Sequence, residues 1–265
     1  MSSYVLEHVG ERASGYVHSV FATSFNVALD GFLFHVGDSR HPLSCCGANV
    51  APDRLAAMLA RCRPGDRAIV KRRALRVYDV AGTWELDLGA LEEQSLSIAS
   101  PVARGRLAAL EGAVAALGVE DLIGLARDAR FSKVVRALER PDPTEDDLRR
   151  AVGFLLGRGP GLTPSGDDVL VGYGAARWLC GGAEAFARVV REAPLWRTTD
   201  VSASYLEAVA RGFANQGYCE LAQTAASGDE GRFPALLADL QRVGHTSGND
   251  GLFGFLVGLR SVLRG

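Results

Sequence analysis

The sequence predicts an α+β protein: a small N-terminal β-barrel or sandwich portion, then a mostly α-helical C-terminal domain. Two observations carry this. Up to residue 100, short β-branched and aromatic runs alternate with turn residues. Beyond it, apolar residues recur every three to four positions. The expected domains are residues 1–100, β-rich with one short helix, and 101–265, helical and bearing glycine-rich loops.

Residues 15–21, 24–29, 31–36, 67–71, 74–80 and 83–88 read as strands. Asp30-Gly31 signals a hairpin between two of them, and Ala81-Gly82 turns another pair. Residues 53–62 form a short amphipathic helix with Leu55, Met58 and Leu59 on one face. The segment 93–104 joins the two portions. Residues 104–117 start the helical part, with Leu107, Leu110, Val114 and Leu117 in helical register. Shorter helical pieces follow at 120–127 and 132–138. Pro141-Asp142-Pro143-Thr144 breaks the chain, and Thr144 with Asp147 forms a capping box for the helix over 148–156. Further helices are expected at 167–180, 183–192, 201–213, 218–226, 233–243 and 250–263.

A net charge of -2 offers no general attraction to nucleic acid or an anionic membrane surface. Lys71-Arg72-Arg73, the densest basic cluster, is short and reads as a solvated strand edge. The chain opens Met1-Ser2-Ser3-Tyr4-Val5-Leu6-Glu7-His8, without a basic region followed by an apolar one. No apolar run approaches the roughly 20 residues of a membrane span. The expected location is the cytoplasm. Cys45, Cys46, Cys62, Cys180 and Cys219 match no zinc spacing and read as reduced packing thiols. His35 and His41 read as structural.

Three loops carry the chemistry-bearing residues. The first runs Gly157-Arg158-Gly159-Pro160-Gly161-Leu162-Thr163-Pro164-Ser165-Gly166-Asp167-Asp168, before the apolar Val169-Leu170-Val171. Its glycines and prolines exclude regular structure and let the backbone approach a ligand. Ser165 or Asp167 is expected to cap the next helix, whose first turn offers N–H groups and the positive dipole end to an anion. No Gly-Lys-Ser/Thr follows, so this is not a Walker loop.

The third loop, Gly244-His245-Thr246-Ser247-Gly248-Asn249-Asp250, repeats the device. Ser165–Gly172 and Ser247–Gly254 share Ser-Gly-x-Asp-x-Leu-x-Gly without a gap. The second loop, Arg197-Thr198-Thr199-Asp200-Val201-Ser202, has the composition of any helix start. Beside the other two it becomes a third wall. The candidate catalytic residues are His245, Asp168 and Asp250. The candidate ligand-binding residues are Gly161, Thr163, Ser165, Gly166, Asp167, Thr198, Thr199, Asp200, Thr246, Ser247, Gly248 and Asn249.

Each has a plainer reading. Asp168 and Asp250 could merely complement helix dipoles. His245 could hydrogen-bond inside a turn; functionally it could transfer a proton near neutral pH. The residues specify no certain cofactor; a divalent cation held by Asp167, Asp168, Asp200 and Asp250 is open, and so is an amide or ammonium group there. Arg158 and Arg197 could pair with an anion.

The three loops together resemble the family of the AllH-type subunit of oxamate carbamoyltransferase, firmly over about residues 145–260. The resemblance implies a multi-subunit enzyme of allantoin or purine-nitrogen breakdown that transfers a carbamoyl group between oxamate and phosphate. It implies partner subunits, one of them acyl-CoA-synthetase-like, and a small anionic substrate: phosphate, oxamate or carbamoyl phosphate. Familiar carbamoyltransferases use a Ser-Thr-Arg-Thr-Arg loop and a His-Pro-x-Gln element. His41-Pro42-Leu43-Ser44 does not match the second, and nothing matches the first. The alternatives are a non-catalytic scaffolding or binding subunit, given no convincing Ser-His-Asp or Cys-His set, and a metal-dependent hydrolase.

Overall fold

A computed structural model describes residues 1–98 and 101–264. Ala99 and Ser100 of the expected joining segment lie outside the described residues. The chain divides into two units, Met1–Leu96 and Ser97–Gly265.

The first unit is built on one curled seven-stranded sheet. Its strands are β1 (Arg12–Val20), β2 (Ser24–Leu29), β3 (Phe32–Asp38), β4 (Gly47–Val50), β5 (Arg67–Lys71), β6 (Ala74–Asp79) and β7 (Gly82–Asp87). Their order across the sheet is β4-β3-β2-β1-β5-β6-β7. Val17, Phe25, Val27, Phe34, Val36, Val70, Leu75, Val77 and Leu86 are among its buried residues. Asp30 and Gly31 turn β2 into β3 with φ of 46° and 90°, as a hairpin of the favoured twist requires. Helix α1 (Ser3–Val9) begins under Ser2, whose hydroxyl accepts from the Tyr4 N–H at 3.2 Å. Helix α2 (Pro52–Leu59) buries Leu55 and Met58.

Three expectations change here. Strand β4 was not foreseen: four residues, Gly-Ala-Asn-Val, are too short to show alternation. It pairs in parallel with β3, His35 opposite Gly47, where a side chain on Gly47 would meet the His35 carbonyl at 2.6 Å. Helix α1 was also missed. Lys71-Arg72-Arg73 is exposed, but only Lys71 belongs to a strand, ending β5; Arg72 and Arg73 form the β5–β6 turn with φ of 53° and 60°.

The second unit is helical: α3 (Arg104–Ala115), α4 (Ala129–Leu138), α5 (Glu145–Leu155), α6 (Ser165–Leu179), α7 (Glu184–Glu192), α8 (Asp200–Val209), α9 (Gln216–Ser227), α10 (Phe233–Gln241) and α11 (Ser247–Leu263). The Thr144–Asp147 capping box at α5 is present in both directions. The expected helix over 120–127 is absent: a 3-10 turn at Val119–Asp121 is followed by irregular chain. Among the described residues, no helix is long and apolar enough to cross a membrane.

Helices α6 and α11 form the centre of this unit. Both are buried nearly all round, which is why neither shows a clean amphipathic period. They meet backbone to backbone. A Cβ on Gly172 would lie 1.8 Å from the Gly251 carbonyl oxygen, and one on Gly254 would lie 2.0 Å from that of Val169. In the aligned repeat, Gly172 corresponds to Gly254 and Val169 to Gly251. The contact is therefore reciprocal, as at a two-fold interface. Glycine is needed at both positions because no side chain fits between the helices.

Candidate functional site

The repeated loop-to-helix segments bring their N-termini together. The Thr163 and Ser247 hydroxyls lie 2.9 Å apart, linking the first loop to the third. Gly124, from the irregular chain after α3, marks the meeting point. A Cβ there would stand 2.4 Å from Ser165 Oγ, 3.0 Å from Thr246 Oγ1 and 3.4 Å from Asp250 Oδ2. The Gly124 N–H donates to Asp250 Oδ1 at 2.8 Å. This explains the broken helix: residues 122–128 must run past the two helix starts, with no side chain at position 124.

The two helices start alike. The Gly166 N–H donates to the Arg158 carbonyl at 2.8 Å, and the Gly248 N–H to that of Val243 at 2.9 Å. A Cβ on Gly166 would meet the Leu155 carbonyl at 2.1 Å; one on Gly248 would meet that of Leu240 at 2.2 Å. In both copies the glycine lets the new helix start press against the end of the preceding one. Neither Ser165 nor Asp167 caps α6 as expected; Pro164 precedes it without a side-chain cap. The first turns are thus partly closed by their own chain and offer an anion fewer N–H groups than expected.

The aspartates divide into two roles. Asp167 is buried and accepts from the Gly157 N–H at 2.8 Å and from the Thr198 hydroxyl. Burial pushes its carboxyl up from the usual carboxylate range, and these bonds hold part of that back. Its counterpart Asn249 accepts from Gln241 at 3.0 Å. Asp167 thus ties the first loop to the second, whereas Asn249 ties the start of α11 to the end of α10.

Asp168 and Asp250, the matching pair one residue on, are different. Asp250 is fully buried and Asp168 half-buried. Oδ2 of each is enclosed with no hydrogen-bond partner among the described residues. A buried carboxylate oxygen left unpaired costs on the order of 1–3 kcal/mol, so such a pair asks for donors. Burial pushes the Asp168 carboxyl up to about 8. The hydroxyls of Ser247 and Thr163 oppose that shift, and the charge of Asp250 adds to it. Tyr218 completes this side, its hydroxyl 2.3 Å from where a Cβ on Gly251 would stand. Burial, then the Asp168 charge, raises its phenol, so it stays a neutral donor.

The second loop packs on the first. The Thr199 hydroxyl donates to the Leu162 carbonyl at 2.5 Å and accepts from the Ser202 N–H at 3.1 Å. A Cβ on Gly157 would meet the Arg197 carbonyl at 2.4 Å. Thr198 and Thr199 therefore position the first loop. Asp200 and Gly161 are exposed, and so is His245. Arg158 is engaged elsewhere: its guanidinium lies 3.9 Å from the Phe154 ring centroid and donates to the Phe154 carbonyl.

Among the described residues, no three of His, Cys, Asp and Glu stand together as a metal-holding group. The four carboxylates considered for a cation therefore do not converge as one donor set. The five cysteines are free thiols. Burial pushes Cys62 up to about 12 and Cys180 up to about 11, which makes both poor nucleophiles.

Gly124 and Tyr218 escaped the sequence reading. Leu122-Ile123-Gly124-Leu125 looks like helix interior, and Tyr218 like an ordinary core aromatic; only their tertiary placement gives either a role.

No solved structure matches the chain. A family model described as oxamate carbamoyltransferase subunit AllH matches residues 155–259, a segment that spans all three loops. A subunit family implies other protein subunits in a complex. The match falls on the segment over which the loops resemble that family.

Proposed function

We propose that this chain is a subunit of a carbamoyltransferase-type enzyme, and that the paired starts of α6 and α11 hold the small substrate. The observation that carries the reading is the pair of enclosed, unpaired Oδ2 atoms on Asp168 and Asp250. The Asp250 carboxylate only accepts, and Asp168 accepts when ionised and donates one hydrogen when protonated, so the group that fills this place must bring N–H or O–H donors and can offer one acceptor. The amide of oxamate and the NH2 of a carbamoyl group both do. A bare phosphate at the same spot brings few donors and would face the Asp250 carboxylate. The anionic end of the substrate is better received by the hydroxyls of Thr163, Ser165, Thr246 and Ser247.

The chemistry follows from this placement. When the oxamate nitrogen takes up a carbamoyl group from carbamoyl phosphate, an N–C bond forms, the C–O bond to phosphate breaks, and the nitrogen loses a proton. A carboxylate facing that N–H can receive it. Asp168, at about 8, lies in the range where one group can both take and return a proton near neutral pH. Asp250 then orients the amide.

In the assembled enzyme, D168N is expected to lower carbamoyl transfer by roughly a hundredfold or more. D250N is expected to weaken oxamate binding. Both should leave assembly unchanged by size-exclusion chromatography. Full activity in the D168N/D250N double variant would instead establish a scaffolding subunit.

A further inference from the structure

The helical unit holds a concave feature apart from the α6–α11 helix starts. Arg130, Lys133 and Arg136 follow one another at three-residue steps along α4, with Arg140 four residues further on. That spacing keeps them on neighbouring turns of one side. Arg150 of α5 and Arg264, just past α11, complete the rim of a cleft of about 960 Å³. This is the size of a pocket for a small ligand or cofactor. Val134, Ala137, Ala151 and Phe154 supply its apolar floor.

The charge of this cleft is unbalanced. Six cations face two carboxylates, Glu139 and Asp147, an excess of four. Both acids are already shared. Asp147 pairs with Arg140 at 3.2 Å and Arg150 at 2.8 Å, while Glu139 pairs with Arg264 and, at 3.5 Å, with Arg260. Arg150, then the Thr144 hydroxyl and N–H, with a smaller part from Arg140, hold the Asp147 carboxyl down to about 2, so it stays charged and occupied. Lys133 and Arg136 have no ion-pair partner among the described residues. Arg130 has none either and lies 5.1 Å from the Phe154 ring centroid. A merely solvated helix face mixes both signs, yet α4 contains no acidic residue. In a chain of net charge -2, a concave, apolar-floored cluster of one sign focuses positive potential.

We propose that this cleft binds a nucleotide, with its phosphates on the cationic rim and its base on the apolar floor. Guanidiniums suit phosphate oxygens through paired hydrogen bonds, and the unpaired Lys133 and Arg136 are available for them. The floor gives a planar base an apolar surface that inorganic phosphate would not use. The site is separate from the α6–α11 helix starts, so the proposal stands or falls independently of the carbamoyltransferase reading.

Calorimetric titration of the full chain at near-physiological salt tests it, with ATP, adenosine and inorganic tripolyphosphate as probes. ATP should saturate a single site. Adenosine and tripolyphosphate should each bind at least about tenfold more weakly. The exposed charge reversals K133E/R136E should weaken ATP binding at least about tenfold while leaving the melting temperature unchanged. D168N/D250N should leave ATP binding as it is. If K133E/R136E destabilises the fold, K133Q/R136Q should show a smaller loss in the same direction. Absence of saturable ATP binding would overturn the proposal. So would tripolyphosphate as tight as ATP, or binding unaffected by both charge variants.

Discussion

At the scale of single residues, the pH behaviour of Asp168 is the most informative quantity. Its folded-state value of about 8 lies above the ordinary 3.8. The folded protein therefore holds a proton that the unfolded chain releases over that interval. The associated stability is fully present below the ordinary value and is lost as pH rises through about 8. D168N removes the titrating group. Its melting temperature should exceed that of the parent by at least about 3 °C near pH 9, with the gap narrowing towards pH 5. Thermal scans across that range check this, and a gap independent of pH would contradict it. Asp250 differs in that its Oδ1 already serves the Gly124 N–H. Gly124 is exposed, so in D250A its N–H can turn to water, and a loss of no more than about 1 kcal/mol in denaturant unfolding is expected from this bond. The aspartates were legible as candidates because the Ser-Gly-x-Asp repeat marks them. Which of the three faces the site was not legible: Asp167 and Asp168 differ only in which way the first turn of α6 points them.

At the scale of elements, the α6–α11 contact depends on glycine. G172A or G254A would drive a methyl group into a backbone carbonyl, so the helices must separate. Each should cost about 3 kcal/mol, at the upper end of overpacking effects, and should lower substrate binding because the two helix starts move apart. Gly153 is the control. It lies on an exposed position of α5 with open space around it. G153A should stabilise the chain by about 0.5–1 kcal/mol, through helix propensity and a less flexible unfolded state. Chemical denaturation of the three variants separates the two kinds of glycine. Helix starts and ends at α5 and α7 were readable because their signals are local, such as the Thr144–Asp147 capping box. The stretch at 120–127 misled because its apolar spacing looks helical, whereas the two helix starts it passes require a glycine and an open backbone N–H.

At the scale of the whole molecule, the two units carry separate cores. One lies along the curled sheet; the other surrounds α6 and α11. A fragment of residues 97–265 contains the three loops, the Asp168–Asp250 pair and the cationic cleft. It should fold to a helical protein by circular dichroism and retain ATP binding within about threefold of the full chain. A fragment without cooperative thermal unfolding would show that the sheet unit is needed for the helical fold.

The sequence by itself determined the fold class, the order of a β-rich portion before a helical one, and the repeat at Ser165–Gly172 and Ser247–Gly254. All of these are written in local composition and period, which short-range sterics and hydrogen bonding read directly. Tertiary structure alone decided that the repeats meet as a reciprocal helix pair, that Asp168 and Asp250 keep an enclosed oxygen unpaired while Asp167 is tied down, and that Gly124 and Tyr218 border the site. It also gathered six cations from three helical segments into one cleft. Burial and hydrogen-bond completion depend on which distant segments pack together, and no local pattern along the chain encodes that.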